Sequence, residues 1–136
     1  MTGDLSPETQ AFLHAHVEEY EHLELLLLLF RERERSWTTE EAAERLNLPF
    51  AVVAGALTHL RSHTLVEAAP GEKPRYRYRA KQPDVDACVG ELAVAYENDR
   101  VKIVHRMNAN ALERLRNSAI RAFSDAFRLR KGQDDG

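Results

Sequence analysis

The stretch that decides the fold runs from Trp37 to Lys81 and reads WTTEEAAERLNLPFAVVAGALTHLRSHTLVEAAPGEKPRYRYRAK. Thr38 or Thr39 can cap a helix with an acidic first turn, and the buried stripe of that helix would be Ala42, Ala43 and Leu46. The segment Asn47-Leu48-Pro49 is a short turn, since proline cannot continue a helix. The start of the stretch therefore predicts a short helix that ends in a tight turn.

A second helix is predicted from Phe50 to Ser62, because apolar residues recur at helical spacing at Val53, Ala56, Leu57 and Leu60. Leu65–Ala69 is then a strand candidate, Pro70–Pro74 is a turn, and Arg75–Arg79 alternates with period two. These features predict a β-hairpin after two helices. Successive side chains of a strand point to opposite faces, so we expect one face to be packed inward and the other to be in solvent. The inward residues would be Tyr76 and Tyr78, and the outward ones Arg75, Arg77 and Arg79.

The residues before this stretch predict one long helix that is the first helix of the domain. Ser6-Pro7-Glu8 has the features of a helix start, and apolar residues follow at helical spacing from Phe12 to Phe30. Within this helix, Leu25–Leu29 is apolar on all faces, which predicts burial on every side. Residues 1–36 are accordingly expected to be a helical segment at the centre of the fold.

The residues after the hairpin predict two more helices. The first would run from about Asp84 to Met107, the segment Asn108-Ala109-Asn110 would interrupt it, and the second would run from Ala111 to about Lys131. We therefore divide the chain into residues 1–36, 37–82 and 83–131, with 132–136 as a disordered tail. The C-terminal helices either pack within the chain or form a homodimer, and their long apolar stripe favours the homodimer.

The charge of the chain is unevenly distributed. The 136 residues have a net charge of −3 and are 43% hydrophobic, which is enough for one folded domain. Residues 1–36 contain eight acidic and three basic residues, residues 37–81 contain five and seven, and residues 82–136 contain nine of each. The basic excess coincides with the predicted helices and hairpin at 37–81, which allows an anionic partner there.

Several classes of protein are disfavoured by what the sequence lacks. A single cysteine, Cys88, allows no internal disulfide, and neither a secretory signal nor an apolar run of membrane-spanning length is present, so we expect a cytoplasmic protein. His59 and His63 are four residues apart, but no third metal ligand has suitable spacing, so no metal or cofactor is expected. No phosphate-binding loop, carboxylate pair or activated nucleophile is recognisable, and the sequence does not predict an enzyme.

The stretch from Trp37 to Leu60, followed by Leu65-Val66 and Tyr76-Arg77-Tyr78, resembles the winged helix-turn-helix of small bacterial regulators of the MarR and ArsR kind. The flanking stretches Leu23–Leu29 and Ala122–Arg130 resemble those of a group of small bacterial proteins with the same layout. The resemblance implies a mainly α fold with a β-hairpin wing and N- and C-terminal helices. It also implies a dimer in which the helix at 50–62 enters the DNA major groove.

The chain departs from that pattern in the helix at 50–62, where the early exposed positions are apolar: Phe50, Ala51, Val52 and Ala54. Base recognition requires donors and acceptors, and only Thr58, His59 and Arg61 follow. We therefore expect duplex DNA to be held mainly through phosphates, by Lys73, Arg75, Arg77, Arg79 and Lys81, in a cytoplasmic dimeric transcription regulator. The alternative is a protein-interaction module that docks a partner through the apolar start of this helix. The arginine row at 75–79 is likewise either a phosphate clamp or a solvated hairpin face.

Overall fold

Six α-helices and one β-hairpin make up the part of the chain that the computed structural model describes, which is residues 5–134 for the backbone and 5–128 for the side chains. In chain order the elements are α1 (Pro7–His16), α2 (Tyr20–Arg31), α3 (Thr39–Leu46), α4 (Phe50–Ser62), β1 (Val66–Ala69), β2 (Arg75–Tyr78), α5 (Pro83–Asn98) and α6 (Arg100–Asp134). The predicted class, mainly α with a small hairpin wing, is confirmed.

Local hydrogen bonds explain why α3 forms where the sequence predicts, and the spacing of apolar residues explains α4. The Thr38 hydroxyl accepts the Glu41 amide at 3.1 Å, while the Glu41 carboxylate accepts the Thr38 amide at 3.0 Å, so the two residues form a capping box. Asn47 ends α3 in the left-handed conformation, with φ 55° and ψ 47°. The predicted inward residues of α4 are all buried: Val53, Ala56, Leu57 and Leu60.

The hairpin packs on the body of the domain through its tyrosine face. β1 and β2 are antiparallel, with Val66 opposite Tyr78 and Glu67 opposite Arg77. Tyr78 is buried and donates a hydrogen bond to the Asp86 carboxylate at 2.7 Å, whereas Tyr76 is half-buried. The predicted inward tyrosines and outward arginines are confirmed, and the wing has a fixed orientation.

The prediction of one continuous N-terminal helix is wrong, because α1 ends at His16 and α2 begins at Tyr20. Between the two helices, the Nδ1 atom of His22 accepts the backbone N–H groups of Glu18 at 3.3 Å and Glu19 at 3.1 Å. These bonds satisfy amides that a continuous helix would have paired internally. The predicted burial of Leu25–Leu29 on all sides is confirmed.

The predicted interruption at Asn108–Asn110 is also wrong. The helix breaks at Asp99 instead, where the side-chain carboxylate accepts the Lys102 amide at 3.1 Å and so caps α6. Asn110 lies within α6 and is buried. The helix continues through residues 132–134, where the tail was expected, and residues 135–136 lie outside the described part of the chain.

One carboxylate fixes α1 to α5. Glu91 accepts hydrogen bonds from the Ser6 amide at 2.7 Å, the Ser6 hydroxyl at 2.8 Å and the Thr9 hydroxyl at 2.6 Å. Thr9 is fully buried, and the bonds from Thr9 and Ser6 lower the pKa of Glu91.

We expect Glu91→Ala to lower the free energy of unfolding by about 1–3 kcal/mol, because it leaves the buried Thr9 hydroxyl and the half-buried Ser6 amide without their acceptor. Glu97→Ala is the matched control on the same helix, since Glu97 is exposed and its ion pair with Arg31 is long, at 3.9 Å. Urea unfolding measures both variants. Equal losses in the two would contradict the role of Glu91.

Candidate nucleic-acid interface

The wing cations are all exposed, as the sequence predicts: Lys73, Arg75, Arg77, Arg79 and Lys81. Most of them nevertheless lie close to a carboxylate, which the sequence did not predict. Lys73 lies 3.4 Å from the Glu40 carboxylate, and Arg75 lies 3.1 Å from that of Glu41, both on α3. Arg75 also donates to the Ser36 hydroxyl at 3.0 Å and to the Ser36 carbonyl at 3.2 Å. The tip and the first arginine of the wing are therefore partly neutralised by the helix-turn-helix itself.

The base of the wing keeps a positive excess. Arg77 at 4.0 Å and Arg79 at 3.6 Å share the single carboxylate of Glu67 on β1. Lys81 makes no ion pair with any residue in the described part of the chain. Exposed ion pairs of this kind contribute less than about 1 kcal/mol each, so a phosphate can compete with Glu67 for both guanidinium groups.

The exposed face of α4 begins with apolar side chains, as expected. Phe50 is 56% exposed, and it lies beside the tip of the wing in a groove lined by Thr39, Lys73 and Pro74. Ala51 is exposed, and Val52 and Ala54 are half-buried. The groove therefore combines one exposed aromatic ring with the lysine of the wing tip.

The polar residues predicted on α4 divide into two exposed side chains and one that points inward. Thr58 is exposed and its hydroxyl donates to the Ala54 carbonyl at 3.0 Å, while Arg61 is exposed at the end of the helix. His59 is instead directed towards α1, where its Nε2 atom lies 2.7 Å from the His16 carbonyl oxygen. His16 and His22, which pack around His59, were not predicted as neighbours because they come from other helices.

The second half of α6 presents apolar side chains to solvent. Leu115 is 67% exposed, Phe123 is 73% exposed and Phe127 is 62% exposed. They lie on the side opposite to Ile103, Met107 and Asn110, which are buried against the rest of the chain. Neither α6 nor any other helix within residues 5–134 has the length and hydropathy of a membrane span.

No protein-family model and no curated protein matches the chain. Among solved structures, reduced HlyU from Vibrio cholerae is 20% identical with a TM-score of 0.51, over 65% of this chain and 88% of HlyU. The MepR–DNA complex from S. aureus is 14% identical with a TM-score of 0.52, over 81% of this chain and 88% of MepR. The homodimeric winged helix-turn-helix DNA-binding domain Mb0332 from Mycobacterium bovis is 21% identical with a TM-score of 0.51, over 73% and 93% of the two chains. These likenesses confirm the winged helix-turn-helix fold.

Proposed function

We propose that the chain is a cytoplasmic, non-enzymatic bacterial transcription regulator that binds duplex DNA as a homodimer. The observation that carries the proposal is the base of the wing, where Arg77 and Arg79 share one carboxylate and Lys81 is unpaired in the described residues. The fold supports it as well, because MepR was solved in complex with DNA and Mb0332 is a DNA-binding domain.

Phosphate contacts dominate the proposed binding mode. Arg77, Arg79 and Lys81 would bind the DNA backbone, and Thr58 and Arg61 at the end of α4 would add contacts nearby. Lys73 and Arg75 contribute less, since their charges are already paired with α3. His59 is not part of the surface in this arrangement, because its ring faces α1. The apolar start of α4 offers few groups to read bases, so sequence discrimination would be weak.

Replacing Arg77, Arg79 and Lys81 together with alanine is expected to weaken binding to mixed-sequence duplex DNA at least about tenfold at moderate salt. The slope of log K against log salt should fall by about 2–3 for each bound protomer, and so by about 5 for the homodimer, because about three phosphate contacts are lost from each protomer. Fluorescence anisotropy titrations at several salt concentrations measure both quantities.

The matched control for this variant changes three exposed arginines of α6, Arg106, Arg121 and Arg128, to alanine. It removes the same charge from the chain but leaves the wing intact, so its affinity should stay close to that of the unchanged chain. Equal losses in both triple variants would indicate a general charge effect and would contradict a wing-centred interface.

The exposed ring of Phe50 favours a second candidate function, a protein-interaction module that docks a partner at the groove between α4 and the wing. The patch consists of Phe50, Ala51, Val52 and Ala54. Apolar docking depends little on salt, whereas phosphate binding weakens steeply as salt rises. The same titrations therefore separate the two functions, since a chain that binds no DNA even at low salt fits only the second.

The homodimer in this proposal forms through the apolar side chains of α6, with residues 37–82 as the DNA-binding part and residues 1–36 and 83–131 as the supporting helices. Monomeric proteins seldom expose a continuous row of large apolar side chains. The row on α6 consists of Leu112, Leu115, Phe123 and Phe127, each more than 60% exposed. A second copy of the same helix provides a matching apolar surface.

A further inference from the structure

Four histidines form one cluster at the junction of α1, α2 and α4, three of them within these helices and His63 as the residue that follows α4. The rings of His22 and His59 are stacked, with centroids 3.8 Å apart and an interplanar angle of 8°. The His59 and His63 rings are 4.2 Å apart, and the His16 and His63 rings are 5.1 Å apart. We call these four residues the histidine cluster. Its members are separated by up to 47 positions in the sequence, so it exists only when the three helices are packed together.

His22 must be neutral for the α1–α2 connection to keep its hydrogen bonds. Its Nδ1 atom accepts the backbone N–H groups of Glu18 and Glu19, and an Nδ1 atom that carries a proton cannot accept either of them. Protonation would also place a charge directly against the stacked His59 ring. Burial first, and then the proximity of His59, lowers the pKa of His22 to about 4.

A second contact in the cluster also requires neutral histidines. The Nδ1 atoms of His16 and His63 are 2.9 Å apart, so one must carry a proton and the other must accept it. Protonating the acceptor converts this hydrogen bond into a repulsion between two N–H groups. Burial, followed by the neighbouring histidines, lowers the pKa of both His16 and His63.

Acidic residues near the cluster only partly offset the lowering of these pKa values. Glu18 and Glu21 raise the pKa of His22, and Glu18 also raises that of His63. Lys81 lines the cavity that His16 and His63 share, and on the α6 side Arg114 donates to the Val17 carbonyl at 3.3 Å. Cations thus approach from the wing base and from α6, while Glu18 lies on the α1–α2 connection and Glu21 lies in the first turn of α2.

We propose that the histidine cluster is an acid-sensitive latch, which holds the α1–α2 connection against the end of α4 at neutral pH and releases it as the pH falls below about 6. In the released state the histidines are hydrated and bind protons near their ordinary pKa of about 6.5. The closed state binds fewer protons, so closure is complete above about pH 7 and weakens as the pH falls towards 4. For His22 alone, opening becomes about 30-fold more favourable between about pH 7.5 and about pH 5.

Hydrogen–deuterium exchange of the backbone amides at residues 18–23 tests the latch directly. After correction for intrinsic rates, we expect local opening to increase about 30-fold or more from about pH 7.5 to about pH 5, while the amides of Leu25–Leu29 stay protected. In His22→Gln the increase should be much smaller, because glutamine at this position still caps the helix but does not titrate. His105→Gln, which changes an exposed histidine of α6, should behave like the unchanged chain.

Equal pH responses in His22→Gln and the unchanged chain would overturn the proposal. If His22→Gln does not fold, an NMR titration of the imidazole signals in the unchanged chain decides: titration of His22 well below pH 6 supports the latch, and titration near 6.5 refutes it. Both measurements are made without DNA, so failure of the latch leaves the proposed function intact. Because α4 belongs to the proposed DNA-binding surface, a released latch would also alter DNA affinity.

Discussion

Changing Leu115 and Phe123 together to glutamate is expected to dissociate the proposed homodimer and leave the chain monomeric. The two side chains are 67% and 73% exposed in the single chain, and they lie on the same side of α6. In the proposed dimer both become buried, and burying a carboxylate without a partner costs several kcal/mol. The dissociation constant should therefore rise at least about 100-fold.

Size-exclusion chromatography with light scattering, over a range of protein concentrations, measures this change. The matched control is Arg121→Glu, which adds a glutamate to the opposite side of the same helix, where the side chain is also exposed. We expect this variant to remain dimeric. A double variant with the same mass–concentration profile as the unchanged chain would show that the apolar side of α6 does not hold the dimer together.

The helix-turn-helix and the wing could be predicted from the sequence because local residues determine them. Thr38 and Glu41 form a capping box three residues apart, and Asn47 and Pro49 define the turn within a few positions. The alternation of Arg75–Arg79 likewise sets which side chains face inward before any tertiary contact is known. Each of these signals acts over fewer than about five residues, and each is confirmed.

The breaks between α1 and α2 and between α5 and α6 could not be predicted from the sequence, because side chains at unexpected positions cause them. Histidine is not among the usual capping residues, yet His22 provides the acceptor that allows the chain to turn between α1 and α2. The Asn98-Asp99 pair is a capping signal inside an otherwise continuous apolar period, and the more obvious polar segment at 108–110 concealed it. The helical spacing of apolar residues continues across both breaks, so this pattern alone does not reveal them.

The candidate site could be predicted only in part, because charges meet across elements that are distant in the sequence. Arg75 and Glu41 are 34 residues apart, and Lys73 and Glu40 are 33 apart, so neither pairing has a local signal. The sequence assigned Glu40 and Glu41 to the helix dipole and the arginines to solvent. Tertiary packing of the wing on α3 gives both acids a second role, which moves the free positive charge from the tip of the wing to its base.

The position of the wing depends on Trp37, which is 1% exposed and forms an isolated bridge with β2. Its backbone N–H donates to the Tyr76 carbonyl at 2.7 Å, and its own carbonyl accepts the Tyr76 amide at 2.7 Å. The Arg35 guanidinium lies 3.6 Å from the centre of the indole ring, and that of Arg45 lies 5.0 Å away. The ring is therefore buried beneath two cations, next to the backbone bridge that joins Trp37 to the wing.

We expect Trp37→Ala to lower the free energy of unfolding by about 3–5 kcal/mol, since it removes the largest buried side chain and leaves a cavity under the wing. Trp37→Phe should cost less than about 1.5 kcal/mol, because phenylalanine keeps most of the apolar contact. It also removes the indole Nε1 group, which is buried without a hydrogen-bond partner in the described residues. Urea unfolding followed by circular dichroism compares the two variants, because Trp37 is the only tryptophan and both variants lack tryptophan fluorescence. Similar losses in both variants would mean that the indole itself, and not the filled volume, fixes the wing to the body.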